Sequence, residues 1–272
     1  MEALQETRDI AGDPVSLDLS QSIRTPVSRC GQEPHLRPAF FMPIQLCLQP
    51  SVIYHRMRAR LRRKPDQFMA RVPGLIHVGA NVGQERNRYN KYGLEVVWVE
   101  PIPEVFAELQ KNIASLPRQQ AYQELLTDES RAYVFHVASN QGESSSILPL
   151  KEHQEIWPNV VYERELILHS KTLDELIAEQ DIELHRYKAL VLDTQGSELL
   201  VLKGAHQTLQ AMKYVKVEAA DFEAYCGCAT VDSLNKFLSM HGFSETRRHA
   251  FAAKQQGNGR YYDLIFQRNQ QC

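Results

Sequence analysis

The sequence lacks the features that would tie it to a membrane or to an oxidising compartment. No window of about 20 apolar residues occurs, so no transmembrane segment is expected. The opening MEALQETRDI has neither the basic start nor the apolar run of a secretory signal, and a cytoplasmic location is the expectation. Cysteine is scarce: Cys30, Cys47, Cys226, Cys228 and Cys272 are odd in number and scattered in spacing. That excludes a disulfide framework as the organising device. Cys226-Gly227-Cys228 is too tight for a C-x-x-C zinc knuckle, so no metal is expected there. Charge of one sign is missing as well. A net charge of −2 gives no global pull toward nucleic acid, and no nucleic-acid partner is expected. No internal repeat is visible. What remains is an ordinary globular composition, 43% apolar and 24% charged. The 272 residues suffice for one α/β domain of about 200 residues plus an appendage.

One stretch organises the chain: Leu75-Ile76-His77-Val78-Gly79-Ala80-Asn81-Val82-Gly83. The apolar run reads as a short buried strand, the glycines bracket a turn, and a helical segment opens at Gln84. Strand, glycine turn and helix is how a doubly wound α/β fold offers backbone N–H groups to a nucleotide-like ligand. A Cβ at the glycines would hold such a ligand off the backbone. A second strand, Glu95 to Glu100, ends in an acid 21 residues beyond Gly79. That is where a ribose-binding acid stands in such folds. The third glycine of the dinucleotide fingerprint is absent: the spacing is G-x-x-x-G, with Ala80 and Asn81 inside it. A cofactor without phosphate tolerates this looser turn, so S-adenosyl-L-methionine is the expected ligand.

The segments VGANVGQERNRY, VVWVEPIPEVFAELQKNI, KTLDELI and LVLDTQGSELLVLKGA follow one another in order. Together they resemble the FkbM family of S-adenosylmethionine-dependent methyltransferases, over about residues 73 to 268. The resemblance implies an α/β, Rossmann-like class I methyltransferase fold. Its mostly parallel seven-stranded sheet would close with an antiparallel C-terminal hairpin. It also implies O-methylation of a hydroxyl on a sugar, glycan or natural-product acceptor. The family commonly carries Asp where this chain has His77, and often Glu where it has Gln195. The expected cofactor contacts are His77, Gly79, Ala80, Asn81, Gly83, Glu100 and, for the adenine amine, Asp128.

Residues 1–72 read as an N-terminal extension and 73–268 as the catalytic domain. Within the extension, 38–54 is apolar but broken by Pro43 and Pro50, and either wraps the domain or forms a homodimer contact. Residues 55–64 suggest a helix with a basic face, either simply solvated or a platform for an anionic acceptor. In the domain, strands are expected at 122–127, 131–139, 189–193, 214–219, 243–251 and 261–267. Residues 147–170 look like an insertion without a clean period. Thr172 and Glu175 make a capping box for a helix over 173–180. A single amphipathic helix is expected after Gly196. Asp193 ends the fourth main strand and projects toward the ligand crevice, where a carboxylate can take a proton from a hydroxyl. Glu198 and His169 are the other candidate catalytic groups. Two rivals stay open: a nucleotide-sugar or nicotinamide enzyme, and a Rossmann-like module that binds cofactor or glycan without turnover.

Overall fold

The structure is a computed structural model and describes residues 67–270. In chain order come β1 (Gly74–Val78), α1 (Arg86–Lys91), β2 (Glu95–Val99), α2 (Pro103–Ile113), β3 (Gln119–Tyr122), β4 (Leu125–Leu126) and β5 (Ala132–Ala138). There follow β6 (Tyr162–Lys171), α3 (Leu173–Glu179), β7 (Ala189–Leu192), α4 (Glu198–Lys203), α5 (His206–Ala211) and β8 (Tyr214–Ala220). α6 (Val231–Met240), β9 (Phe243–Ala253) and β10 (Arg260–Arg268) complete the chain.

The main sheet has seven strands in the order β3-β2-β1-β7-β8-β10-β9. Five run parallel; β10 is antiparallel to β8 and to β9, which makes the C-terminal hairpin. β1, β7 and β8 are buried along their whole length, as strands covered by helices on both faces must be. Alternate residues serve opposite layers. Ile76, Val78, Val97 and Val99 meet α3, α4, α5 and α6 on one face. Leu75, Val96 and Trp98 meet α1 and α2 on the other. β1 sits between β2 and β7, so the strand order reverses there and a crevice opens beyond the carboxyl ends of the three.

Three departures from the sequence expectation bear on the site. The third strand stops at Tyr122, and the chain then leaves the main sheet. Leu125 and Leu126 pair instead with Ser170 and Lys171 in a second sheet, ordered β4-β6-β5. The segment 147–170 is no irregular insertion throughout, because the ten-residue β6 runs antiparallel to β5 from Tyr162 to His169. The helix after Gly196 is two short helices broken at Gly204, where a Cβ would stand 2.2 Å from the Thr127 carbonyl oxygen. The Thr172–Glu175 capping box forms as the spacing predicts.

Residues 67–72 lie inside the expected extension, yet Phe68, Met69 and Val72 pack on the sheet. The apolar stretch 38–54 and the basic stretch 55–64 fall outside the described residues. Among the described residues, no helix is long and apolar enough to cross a membrane.

Candidate active site

A cavity of about 660 Å3 opens at the carboxyl ends of β1, β2 and β7. That is within the range of small-molecule sites, about 300–1,000 Å3. Five carboxylates line it (Glu85, Glu100, Glu124, Glu143 and Asp193) against two cations, Arg88 and Lys91.

Glu100 is held by the turn it faces. The Asn81 N–H donates to its Oε2 at 2.8 Å, and the Ile102 N–H to its Oε1 at 3.0 Å. Each oxygen retains a second lone pair for a ligand hydroxyl. Burial pushes this carboxyl up to about 7; the two backbone donors pull it down, and the nearby Asp193 charge adds to the rise. Ile102, Leu125, Leu126 and Phe135 form an apolar wall of the same cavity.

The glycine turn works differently from its sequence reading. Gly79 and Ala80 donate their N–H groups to the Val99 carbonyl, each at 3.0 Å. Val82 donates to the Asn81 side-chain oxygen and Gly83 to the Ala80 carbonyl. With Asn81 bonded to Glu100, every N–H of the turn has a partner inside the protein. Gly79, at φ +81°, is required by its neighbour strand, since a Cβ would stand 2.0 Å from the Asp193 carbonyl oxygen.

His77 is 4% exposed and stacks on Trp98 with ring centroids 5.0 Å apart. Its Nδ1 lies 3.2 Å from the Tyr89 hydroxyl. His77, Tyr89 and Trp98 form one aromatic cluster, of which His77 lines the cavity.

Asp193 follows β7 and lines the cavity together with Thr194 and Gln195. The Gln195 amide nitrogen donates to Asp193 Oδ1 at 2.6 Å. Thr194 Oγ1 is buried with no hydrogen-bond partner among the described residues. Glu198 is buried behind this turn, outside the large cavity. Its Oε1 accepts from the Thr194 N–H at 2.9 Å and the Gly196 N–H at 3.0 Å. Burial raises it to about 7, opposed by the backbone donors and reinforced by Asp193.

Of the residues expected from sequence, His77, Gly79, Asn81, Glu100 and Asp193 line the cavity. Ala80 and Gly83 are buried in the turn beneath it. Asp128 and His169 lie elsewhere. The chain leaves the main sheet after Tyr122, so Glu124 rather than Asp128 reaches the cavity. Glu124 pairs with Lys171 at 2.9 Å. His169 is exposed on β6, opposite Ala132. The loop 140–146 is bound into the wall: Ser145 Oγ accepts from the Ala138 N–H, and Ser146 Oγ donates to the Gln195 carbonyl. Neither Glu124 nor Thr194, although the latter lies within the LVLDTQGSELLVLKGA segment, is singled out by the sequence. Gln195 stands out there only as a missing acid.

A doubly wound sheet in this strand order, closed by an antiparallel C-terminal hairpin, is the Rossmann-like class I methyltransferase fold. The methyltransferase FkbM domain model matches residues 77–245, and the chain belongs to that family. No curated protein matches the sequence significantly. Among solved structures, the chain is similar to magnesium protoporphyrin IX methyltransferase (ChlM) from Synechocystis PCC 6803 with bound SAM, at 11% identity and TM-score 0.43. That match covers 79% of each chain. It is similar to the putative RNA methyltransferase PH1948 from Pyrococcus horikoshii, at 11% identity over 78% of this chain and 81% of that one, TM-score 0.38. TrmK of M. capricolum with SAH matches at 8% identity over 77% and 68%, TM-score 0.42.

S-adenosylmethionine is the cofactor of this class, and the residues present fit it. The cavity combines a two-oxygen hydroxyl acceptor, an apolar wall for a base, an unmet hydroxyl at Thr194 and an acidic lining for a cation. Its glycine turn keeps no N–H group for a phosphate.

Proposed function

We propose that this methyltransferase transfers the methyl group of S-adenosylmethionine to a hydroxyl oxygen of a sugar, glycan or related polyol. The observation that carries the reading is Asp193, an acid at the end of β7 that lines the same cavity as Glu100. In this reading Glu100 takes the ribose hydroxyls through both its oxygens, and Ile102, Leu125 and Leu126 flank the base. Bound there, the cofactor supplies a methyl group on an excellent leaving group. The protein's task is then to hold the acceptor oxygen about 3 Å from that carbon. Asp193 accepts the hydroxyl proton as the oxygen attacks. Thr194 Oγ1 offers a hydrogen bond to the acceptor or the cofactor. The acidic lining favours a neutral acceptor over an anionic one. A nicotinamide or nucleotide-sugar enzyme would want backbone donors for its phosphates, and the turn has none left. The domain assigned to this work is 73–268, joined on its N-terminal side by packed residues 67–72.

The test is transfer of labelled methyl from S-adenosylmethionine to a panel of sugars, glycans and hydroxylated natural products. Asp193→Asn is expected to lower kcat at least about 100-fold, while S-adenosylhomocysteine affinity stays within about threefold. Unchanged turnover would make Asp193 structural.

A further inference from the structure

Gln195 stands where the family often has an acid, and nothing in the reaction as described above uses its amide. Its backbone is at φ +54°, a left-handed conformation that a non-glycine residue adopts only under strain. The surroundings hold it there. The Ser146 hydroxyl donates to its carbonyl at 2.8 Å. Thr194 and Gly196 on either side both donate to Glu198 Oε1. The side chain then reaches two groups at once: Nε2 donates to Asp193 Oδ1 at 2.6 Å, and Oε1 accepts from the Tyr225 hydroxyl at 2.7 Å.

The polarity of this chain decides which residue type fits. A carboxylate only accepts, so its partner must donate; a buried phenol with a proton to give needs an acceptor. A primary amide does both, and the two bonds point the same way and polarise one another. A glutamate would donate nothing to Asp193. Tyr225 is 1% exposed, and burial holds its hydroxyl well above the usual phenol range, so it stays a donor. At the outer end the Tyr225 hydroxyl also lies 3.5 Å from the Ser144 carbonyl, and the Ser144 Oγ is 3.1 Å from the buried His153 Nε2.

We propose that Gln195 is the positioning residue of this site: its amide, braced by Tyr225, fixes the Asp193 carboxylate in the cavity. The inference rests on Asp193 being the working acid of the site. It links the wall built by the 140–146 loop and the segment after β8 to the orientation of a single charge.

The probe pair is S-adenosylmethionine and S-adenosylhomocysteine, which differ by one methyl group and one positive charge. A fixed carboxylate in the cavity favours the cation, whereas a general disturbance of the site weakens both ligands alike. Other charges face Asp193: Glu100 after β2, Glu198 at the head of α4, and Arg88 and Lys91 across the cavity on α1. His77 on β1 and Tyr225 are also near it, and Glu85, Tyr92, Glu124 and Glu143 share the cavity lining. Calorimetry is therefore done at one pH, and the affinity ratio of the two ligands is compared between variants.

Gln195→Met keeps the length and loses both bonds. It is expected to lower the preference for the cation about tenfold, with S-adenosylhomocysteine affinity within about threefold. Tyr225→Phe is expected to give part of that loss. In an Asp193→Asn background, Gln195→Met should add nothing further. If Asp193→Asn lowers the preference and Gln195→Met does not, the inference is overturned and Asp193 keeps its assigned role. If Asp193→Asn leaves the preference unchanged, the assignment of Asp193 fails and the inference falls with it. Should Gln195→Met weaken both ligands equally, Gln195 only shapes the cavity and the positioning role is refuted. A Gln195→Met protein that does not fold leaves Tyr225→Phe to decide: an unchanged ratio there refutes the brace.

Discussion

At the scale of single residues, two buried glutamates do opposite jobs with the same chemistry. Glu100 spends one lone pair per oxygen on backbone donors and faces the cavity. Glu198 spends one oxygen on two donors and faces away from it. Burial raises both to about 7 from 4.5. A carboxyl raised on folding contributes stability that is fully present below pH 4.5 and lost as the pH rises through 7. The shift at Glu198 corresponds to about 3 kcal/mol at most. Glu198→Gln keeps an oxygen for both N–H donors and never carries the charge. Urea unfolding should show it more stable than wild type by about 2 kcal/mol at pH 8, with the difference shrinking toward pH 5. Equal slopes with pH in the two proteins would refute a buried ionising Glu198. Glu100→Ala, by contrast, should weaken S-adenosylhomocysteine binding at least about tenfold by calorimetry. Unchanged affinity would remove Glu100 from the ribose.

At the scale of elements, the glycine turn is set by strand packing before it is set by a ligand. β1 and β7 approach so closely at their ends that Gly79 faces the Asp193 carbonyl. Gly83 instead faces Leu109 Cδ1, the tip of a side chain that can yield. Both have positive φ, so alanine strains both. Gly79→Ala should therefore cost about 3 kcal/mol or more in a denaturant melt, and Gly83→Ala about 1–2 kcal/mol. Equal costs would mean that the backbone angle, not the neighbouring strand, imposes glycine at 79. The break between α4 and α5 has the same kind of cause, since Gly204 lies against the Thr127 carbonyl.

For the whole molecule, the second sheet and the segment after β8 brace the carboxyl end of the main sheet. The 140–146 loop reaches Gln195, and Tyr225 reaches it from the other side. A ligand held between these parts stabilises all of them together. At 100 times Kd, S-adenosylhomocysteine should add about 2.7 kcal/mol, a rise in Tm of about 5–10 °C. NAD at the same concentration should leave Tm unchanged, because the turn has no N–H group to offer a pyrophosphate. A shift with NAD alone would refute the cofactor assignment.

From the sequence alone the central strands, the switch point and much of the cavity's lining were legible. Short apolar runs followed by glycine-containing turns, such as Leu75–Val78 and Ala189–Leu192, read as buried strands, and chemistry placed at strand ends is local in sequence. Gly79, Asn81, Glu100 and Asp193 were legible for that reason. The second sheet was not legible, because β6 has no clean period and its pairing with β5 is fixed by contacts across 24 to 37 residues. With it went the placement of Asp128 and His169, whose distance from the cavity follows from a strand that changes sheets after Tyr122. Glu198 was read from its helix-start position, but which side of the turn its carboxylate takes is a packing decision. Gln195 looked like a missing acid in the sequence. Only the fold brings Tyr225, 30 residues away, to the far end of its amide, because a hydrogen-bond partner is chosen by proximity in space and not by spacing along the chain.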